Sequence, residues 1–205
     1  MKFDMHMHTN RYSHDSQMDV YALLKRAKEV GLDGIVITEH DILWPEHEIE
    51  ELRQRQPDLI IMAGVEISAR DGDVLCYGVR EMGSLRRGMN WVDLCKEVHR
   101  QGGVAVAAHP YRWGQRFDRI LEEQKPPIDG VEMMSNNMDT TLREQAAEFI
   151  AKNPNYATLG NSDAHEVAVV GCCYSEFSVP VRNLEELVAA IRARQVRPFV
   201  RHGRH

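Results

Sequence analysis

Seven short β-branched runs alternate with amphipathic helical patterns along this chain, and that alternation admits few folds. The runs fall at 2–7, 34–38, 59–67, 74–79, 103–108, 130–134 and 156–160. Apolar residues three and four apart predict helices at 19–30, 46–56, 90–101, 115–124, 141–152 and 183–194. Asp19 and Asn90 stand as N-caps, Thr141 with Glu144 reads as a capping box, and Gly31 and Gly102 follow helix ends. A repeated strand-then-helix order means βα units around a parallel sheet. No Ser/Gly/Pro-rich linker, low-complexity tract or internal repeat interrupts the 205 residues, so one domain is expected over 1–205.

Composition excludes several classes. The longest uncharged apolar run, 59–65, is far short of the ~20 residues that cross a bilayer. The N-terminus lacks an apolar h-region and places Asp4 where a signal peptide would be apolar, so a cytoplasmic, membrane-free protein is expected. Cys76, Cys95, Cys172 and Cys173 show no CxxC spacing and read as reduced core thiols. A net charge of −6 and a pI near 5.9 argue against a general nucleic-acid surface. The tail 192–205, with five arginines and two histidines, is the exception; it reads as a solvated helix end and tail rather than a binding element for anions.

The polar residues cluster by position. His6 and His8 close the first run, His40 the second and Glu66 the third, while His109 follows the fifth and Asp163 and His165 follow the seventh. In parallel α/β barrels that edge is where loops converge on a shared mouth. Alternation in a strand points residues i and i+2 the same way, so His6 and His8 can offer two imidazoles to one ion. Imidazole mixed with carboxylate suits borderline divalent metals. Nine candidates, counting His14 and Asp15 of the first loop, exceed the three or four protein ligands of a catalytic ion, so two or three ions are expected. Asp4 is expected to hydrogen-bond near the ligands rather than to ligate.

The pieces DMHMHT with YSHDS, ITEHD, GVEIS, AHPYR and SDAH, in this order from residue 4 to residue 165, resemble the PHP (polymerase and histidinol phosphatase) phosphoesterases. The resemblance implies an α/β fold, a distorted seven-stranded (β/α)7 TIM-like barrel, carrying two or three divalent ions of manganese, iron or zinc. It implies that His6, His8, Glu66 and Asp163 form a first site, that Glu66 bridges to a second with His109, and that Asp15, His40 and His165 form a third. Where many members have a histidine before the fourth strand, this chain has Asp73 as the candidate ligand. In the first loop His14 and Asp15 compete, with Asp15 favoured.

The chemistry expected of such a centre is hydrolysis of a small phosphate monoester by a metal-bound hydroxide at Glu66, with Asp15 or His165 protonating the leaving oxygen. Arg112, then Arg116 and Arg119, are the candidates to grip the phosphate. Ser135, Asn136 and Asn137 read as a plain loop ahead of a lining of the mouth. The substrate is expected to be a small phosphorylated compound, with a nucleotide, a histidinol-phosphate-like ester or an oligonucleotide end all open, and the oligomeric state is not read. The rival readings are an amidohydrolase-type hydrolase, which usually bridges its metals with a modified lysine, and a non-catalytic PHP-like binding module.

Overall fold

The computed structural model describes residues 1–201 and winds them into one mixed sheet of nine strands. The strands are β1 (Lys2–Asp4), β2 (Gly34–His40), β3 (Ile60–Ala69), β4 (Gly72–Tyr77), β5 (Val104–Ala107), β6 (Gly130–Met134), β7 (Ala157–Gly160), β8 (Cys173–Phe177) and β9 (Val196–Val200). Six helices, α1 (Val20–Glu29), α2 (Glu46–Arg55), α3 (Trp91–Arg100), α4 (Phe117–Gln124), α5 (Thr140–Lys152) and α6 (Leu184–Arg192), match the six expected from periodicity. Asp19 caps α1 by accepting from Tyr21 N and Ala22 N, and Asn90 caps α3 through Asp93 N. The α5 cap differs from expectation. Asp139, one residue before the helix, accepts from Leu142 N, which leaves no place for a Thr141/Glu144 box.

The seven-stranded parallel barrel is corrected in two respects. The sheet order is β7-β6-β5-β4-β3-β2-β1-β8-β9, and β4 runs antiparallel to both of its neighbours. The reason is covalent: only Arg70 and Asp71 separate β3 from β4, whereas a parallel return needs a crossover of a dozen or more residues. The positive φ of Gly72, 133°, makes this tight reversal. The two additional strands, β8 and β9, are antiparallel to β1 and to each other. Residues expected to trail off as a helix end and tail therefore form β9, where Pro198 stands opposite Ser175. The part of that tail with His202, Arg204 and His205 lies outside the described residues.

These strands nearly close the sheet on itself. The β7 edge meets β8 and β9 at Gly160, where an added Cβ would lie about 3.0 Å from Pro198 Cβ and from the Tyr174 carbonyl. Ser175 Oγ accepts from Gly160 N and donates to Gly160 O, so a side chain completes the seam where the ladder stops.

Alternation sorts the interior. Val36, Met62, Leu75, Tyr77, Val106 and Leu159 join Phe3 and the α6 residues Leu187, Val188 and Ile191 in one buried apolar cluster that fills and floors the barrel. Residues two and four further along the same strand faces are polar: Thr38 and His40 on β2, Glu66 on β3. The helix-facing sides pack α1 and α2 in a second cluster and α3, α4 and α5 in a third, with Trp91 fully buried. The fold thus concentrates apolar burial at one end and buried polar groups at the other. No helix is long and apolar enough to cross a membrane among the described residues.

Candidate metal centre

Glu66 sits at the hub of the polar end, fully buried on the inner face of β3. Its Oε1 lies 3.2 Å from His6 Nε2 and 3.2 Å from His109 Nε2, and its Oε2 lies 3.2 Å from His8 Nε2 and 3.0 Å from His40 Nδ1. Asp163 closes the other side, with Oδ1 3.3 Å from His6 Nε2 and 3.4 Å from His8 Nε2. His40 Nε2 and His165 Nε2 both face Asp15 Oδ2, at 3.2 and 3.4 Å. Asp73 Oδ2 is 3.9 Å from His109 Nε2.

Topology explains each position. His6 and His8 lie just past β1 in an extended stretch held by a single parallel bridge from Met7 to Ala164, and Met5 and Met7 are buried on its other face. Asp73 begins β4 rather than ending it. Because β4 is antiparallel, its beginning lies at the rim where β3 ends, opposite Ser68.

The donor set fits divalent cations. His6 Nε2, His8 Nε2, His40 Nδ1 and Glu66 Oε2 are buried and make no hydrogen bond, although each lies close to an oppositely polar atom. Bonds of 2.0–2.2 Å to one ion place neighbouring ligand atoms about 2.8–3.6 Å apart, which is the spacing around Glu66. Four overlapping sets have ligand atoms within 4.8 Å of one another: His6, His8 and Glu66; His6, His109 and Asp163; Glu66, Asp73 and His109; His8, His40 and His165. Exposed Asp15 meets two members of the last set. His14 beside it is exposed and joins none of these contacts.

The electrostatics follow from burying carboxylates and imidazoles together. Burial pushes the Glu66 carboxyl up, but His6, His109 and His40 hold it well below the usual carboxylate range. Asp163 is likewise held low by His6 and His8 against the cost of its burial. Burial and the charge of Glu66 raise Asp73. Burial lowers His40, but Glu66 and Asp15 overcome it and lift the ring from 6.5 to about 9. An imidazole must be neutral to ligate, so cation loading is expected to expel protons and to tighten as pH rises toward about 9. Calorimetry in buffers of different ionisation enthalpy reads this directly; loading without proton release at pH 7 would contradict it. In the cation-free protein the same shift means that the stabilisation from charged His40 is present below 6.5 and lost as pH rises through about 9.

Two buried carboxylates that sequence reasoning missed orient the rings. Glu132, on the inner face of β6, accepts from Asn161 Nδ2 at 2.9 Å and from His109 N at 2.9 Å, and lies 3.1 Å from His6 Nδ1. It fixes the proton of His6 on Nδ1 and leaves the Nε2 lone pair facing the centre. Glu39 accepts from Ser13 Oγ at 2.6 Å, from Trp44 Nε1 and from Thr9. The Ser13 oxygen, its proton so committed, is 3.4 Å from His8 Nδ1 and accepts from His40 N. A charged residue inside an otherwise apolar run, GVEMM or GIVITEH, was the available signal.

Asp4 does not reach an imidazole. It accepts from Ser162 N at 2.9 Å and Gly171 N at 2.8 Å, tying down both ends of the loop that carries Asp163 and His165. Burial raises its carboxyl to about 6. That loop needs fastening, because Asp163 takes a left-handed backbone (φ 51°), a conformation that costs about 1–3 kcal/mol.

Of the arginines, Arg112 reaches the centre, with Nη1 3.3 Å from Asp163 Oδ2. Arg116 is exposed at the start of α4, and Arg119 pairs with Glu123 on the outer face of that helix. The stretch expected to be a plain loop is more than that: Asn137 Nδ2 donates to Asp163 Oδ2 at 2.7 Å, and Asn136 and Asn137 line a cleft with Arg112, Asp163 and His165.

Comparison with known proteins bears on this arrangement. The PHP-associated family matches residues 142–196, which include Asp163 and His165. A two-domain protein of Bacteroides vulgatus, described as containing a predicted PHP-like metal-dependent phosphoesterase, superposes with a TM-score of 0.74 at 19% identity. The chain carries a PHP-associated segment at residues 142–196 and shares the fold of this PHP-like protein. That superposition covers 98% of this chain but 64% of the Bacteroides chain. The lesion-specific endonuclease EndoQ of Pyrococcus furiosus shares the fold with a TM-score of 0.69 at 17% identity, over 94% of this chain and 56% of that one. An uncharacterised protein of Methanocaldococcus jannaschii is 28% identical over 147 residues, 66% of this chain and 82% of the relative.

Proposed function

We propose that this protein hydrolyses phosphate monoesters with two or three divalent ions of manganese, iron or zinc. The observation that carries the reading is Glu66, whose two oxygens face four imidazole nitrogens, three of them without a hydrogen bond. His6, His8, Glu66 and Asp163 would hold one ion, Glu66, His109 and Asp73 a second, and Asp15, His40 and His165 a third. Divalent ions, when bound, shield phosphoryl charge and bring water ionisation toward neutrality. The remaining work falls to the chain. Arg112 offers a planar fork to the phosphoryl oxygens, and its place beside Asp163 aims that fork at the centre. Asp15 is half exposed at the outer edge, where with His165 it can pass a proton to the leaving oxygen.

A small ester, with a nucleotide as the lead, is the proposed substrate. An oligonucleotide end is the second reading, favoured by the fold shared with EndoQ and opposed by the net charge of −6. The test is a screen of Mn²⁺-, Fe²⁺- and Zn²⁺-reconstituted protein over phosphate monoesters and diesters, with elemental analysis of each sample. Monoester turnover that chelation removes is expected, with Arg112→Ala lowering kcat/KM about 10-fold to 100-fold. Loaded protein that hydrolyses no phosphate ester, or that cleaves amides or lactones instead, would refute the proposal.

A further inference from the structure

The segment after His109 departs from the regular backbone at every second residue. His109, Tyr111 and Trp113 all have positive φ, at 26°, 68° and 55°, and none is glycine. The result is to turn the Trp113 side chain outward. Trp113 is 80% exposed, whereas Trp44 and Trp91 are 4% and 0% exposed. A lone exposed apolar side chain is ordinary. This one is held in place: the Arg112 guanidinium lies over the Trp113 ring, 4.1 Å from its centroid, and the ring centroid is 6.0 Å from that of His109. Trp113 also walls a cleft shared with Asp15, His40 and Asp73, with Ile42 and Tyr12 as further apolar lining. An indole pinned on one side by a phosphate-gripping arginine and standing at the rim of the centre offers its free surface to a second flat group.

We propose that Trp113 is a stacking wall that selects phosphate esters whose leaving group carries a planar aromatic or heteroaromatic ring, such as a nucleoside. The inference rests on the phosphomonoesterase reading and specifies its substrate class. Stacking on indole is tolerant of ring identity, since every such ring has a π-face, so selection is for flatness rather than for one base. Arg112 connects the two halves of the substrate, facing the phosphoryl group from the Asp163 side and backing the wall from the other.

The experiment compares adenosine 5′-monophosphate with ribose 5-phosphate, which lacks the ring. Trp113→Ala is expected to lower the ratio of kcat/KM for the first over the second by about tenfold, and Trp113→Phe to keep most of that ratio. Stopped-flow mixing of Mn²⁺-loaded protein supplies a reading independent of turnover. With Trp44 and Trp91 buried, quenching of tryptophan fluorescence by the nucleotide and not by the sugar phosphate reports the stack at Trp113. An unchanged ratio in Trp113→Ala, or equal quenching by both compounds, overturns the inference while leaving phosphatase activity intact. Quenching by the nucleotide alone in a protein that hydrolyses no phosphate ester of the screen supports the wall and overturns the phosphatase reading.

Discussion

Glu66→Gln is expected to abolish turnover, lowering kcat/KM by at least about a thousandfold, because an amide can offer one neutral oxygen where two anionic ones face four imidazoles. The change conserves volume, so the fold is kept and the loss lies in the centre. Elemental analysis should show at least one ion fewer per chain, since the same carboxylate belongs to two of the ligand sets. With the negative charge gone, His6, His109 and His40 lose a counter-charge that raises them, so protons compete less for their nitrogens and the weaker loading comes from the lost anionic ligand itself. Full turnover with unchanged metal content would remove Glu66 from its assigned place.

The second large effect is expected from a residue that touches no proposed ion. Glu132→Ala leaves three buried donors without an acceptor: His6 Nδ1–H, His109 N–H and Asn161 Nδ2. Removing one partner of a buried charged network costs about 3–5 kcal/mol, which for a chain of this size lowers Tm by roughly 10 °C. The cation-dependent part is separate: with its tautomer and orientation released, His6 should bind metal about 10-fold to 100-fold more weakly. Glu132→Gln distinguishes the two, because it retains the volume and one acceptor oxygen. It should recover most of the thermal stability but only part of the affinity. Wild-type Tm and affinity in Glu132→Ala would show that His6 needs no such support.

These two glutamates differ in how readable they were. Glu66 stands in GVEIS next to other motif pieces, and a carboxylate there belongs to a recognisable set of strand-end residues. Glu132 lies in the middle of an apolar run, and only the inner-face register of β6 shows that it points at the barrel interior rather than at α5. The loop after β7 is similar. SDAH announced Asp163 and His165, whereas the part of Asp4 in fastening that loop depends on Ser162 N and Gly171 N, which are 158 and 167 residues away along the chain. Backbone donors carry no sequence signature. Asn137 was ranked as loop before lining for the same reason, since a polar loop gains a function only from what it faces.

The sheet shows a different kind of miss. The expected runs 59–67 and 74–79 leave six residues between them, the structure shortens that connection to Arg70 and Asp71, and either length forbids a parallel return there. The antiparallel turn is what places Asp73 at the rim beside Glu66. By contrast, β9 holds a proline and follows a helix in an arginine-rich stretch, and its strand character comes from pairing with β8.

What the sequence by itself determined is the alternation of strands and helices, the six helices with the caps Asp19 and Asn90, and the identities of the histidines and carboxylates near strand ends. Local periodicity and hydrogen-bonding preference act within a few residues, and they are written in the chain. What only the tertiary structure decided is closure of the sheet through β8 and β9, the direction in which those two strands run, and the partners of each ring nitrogen. Those depend on groups distant along the chain meeting in a dry interior, where each buried polar atom must find a partner and the four at Glu66 are left facing one another.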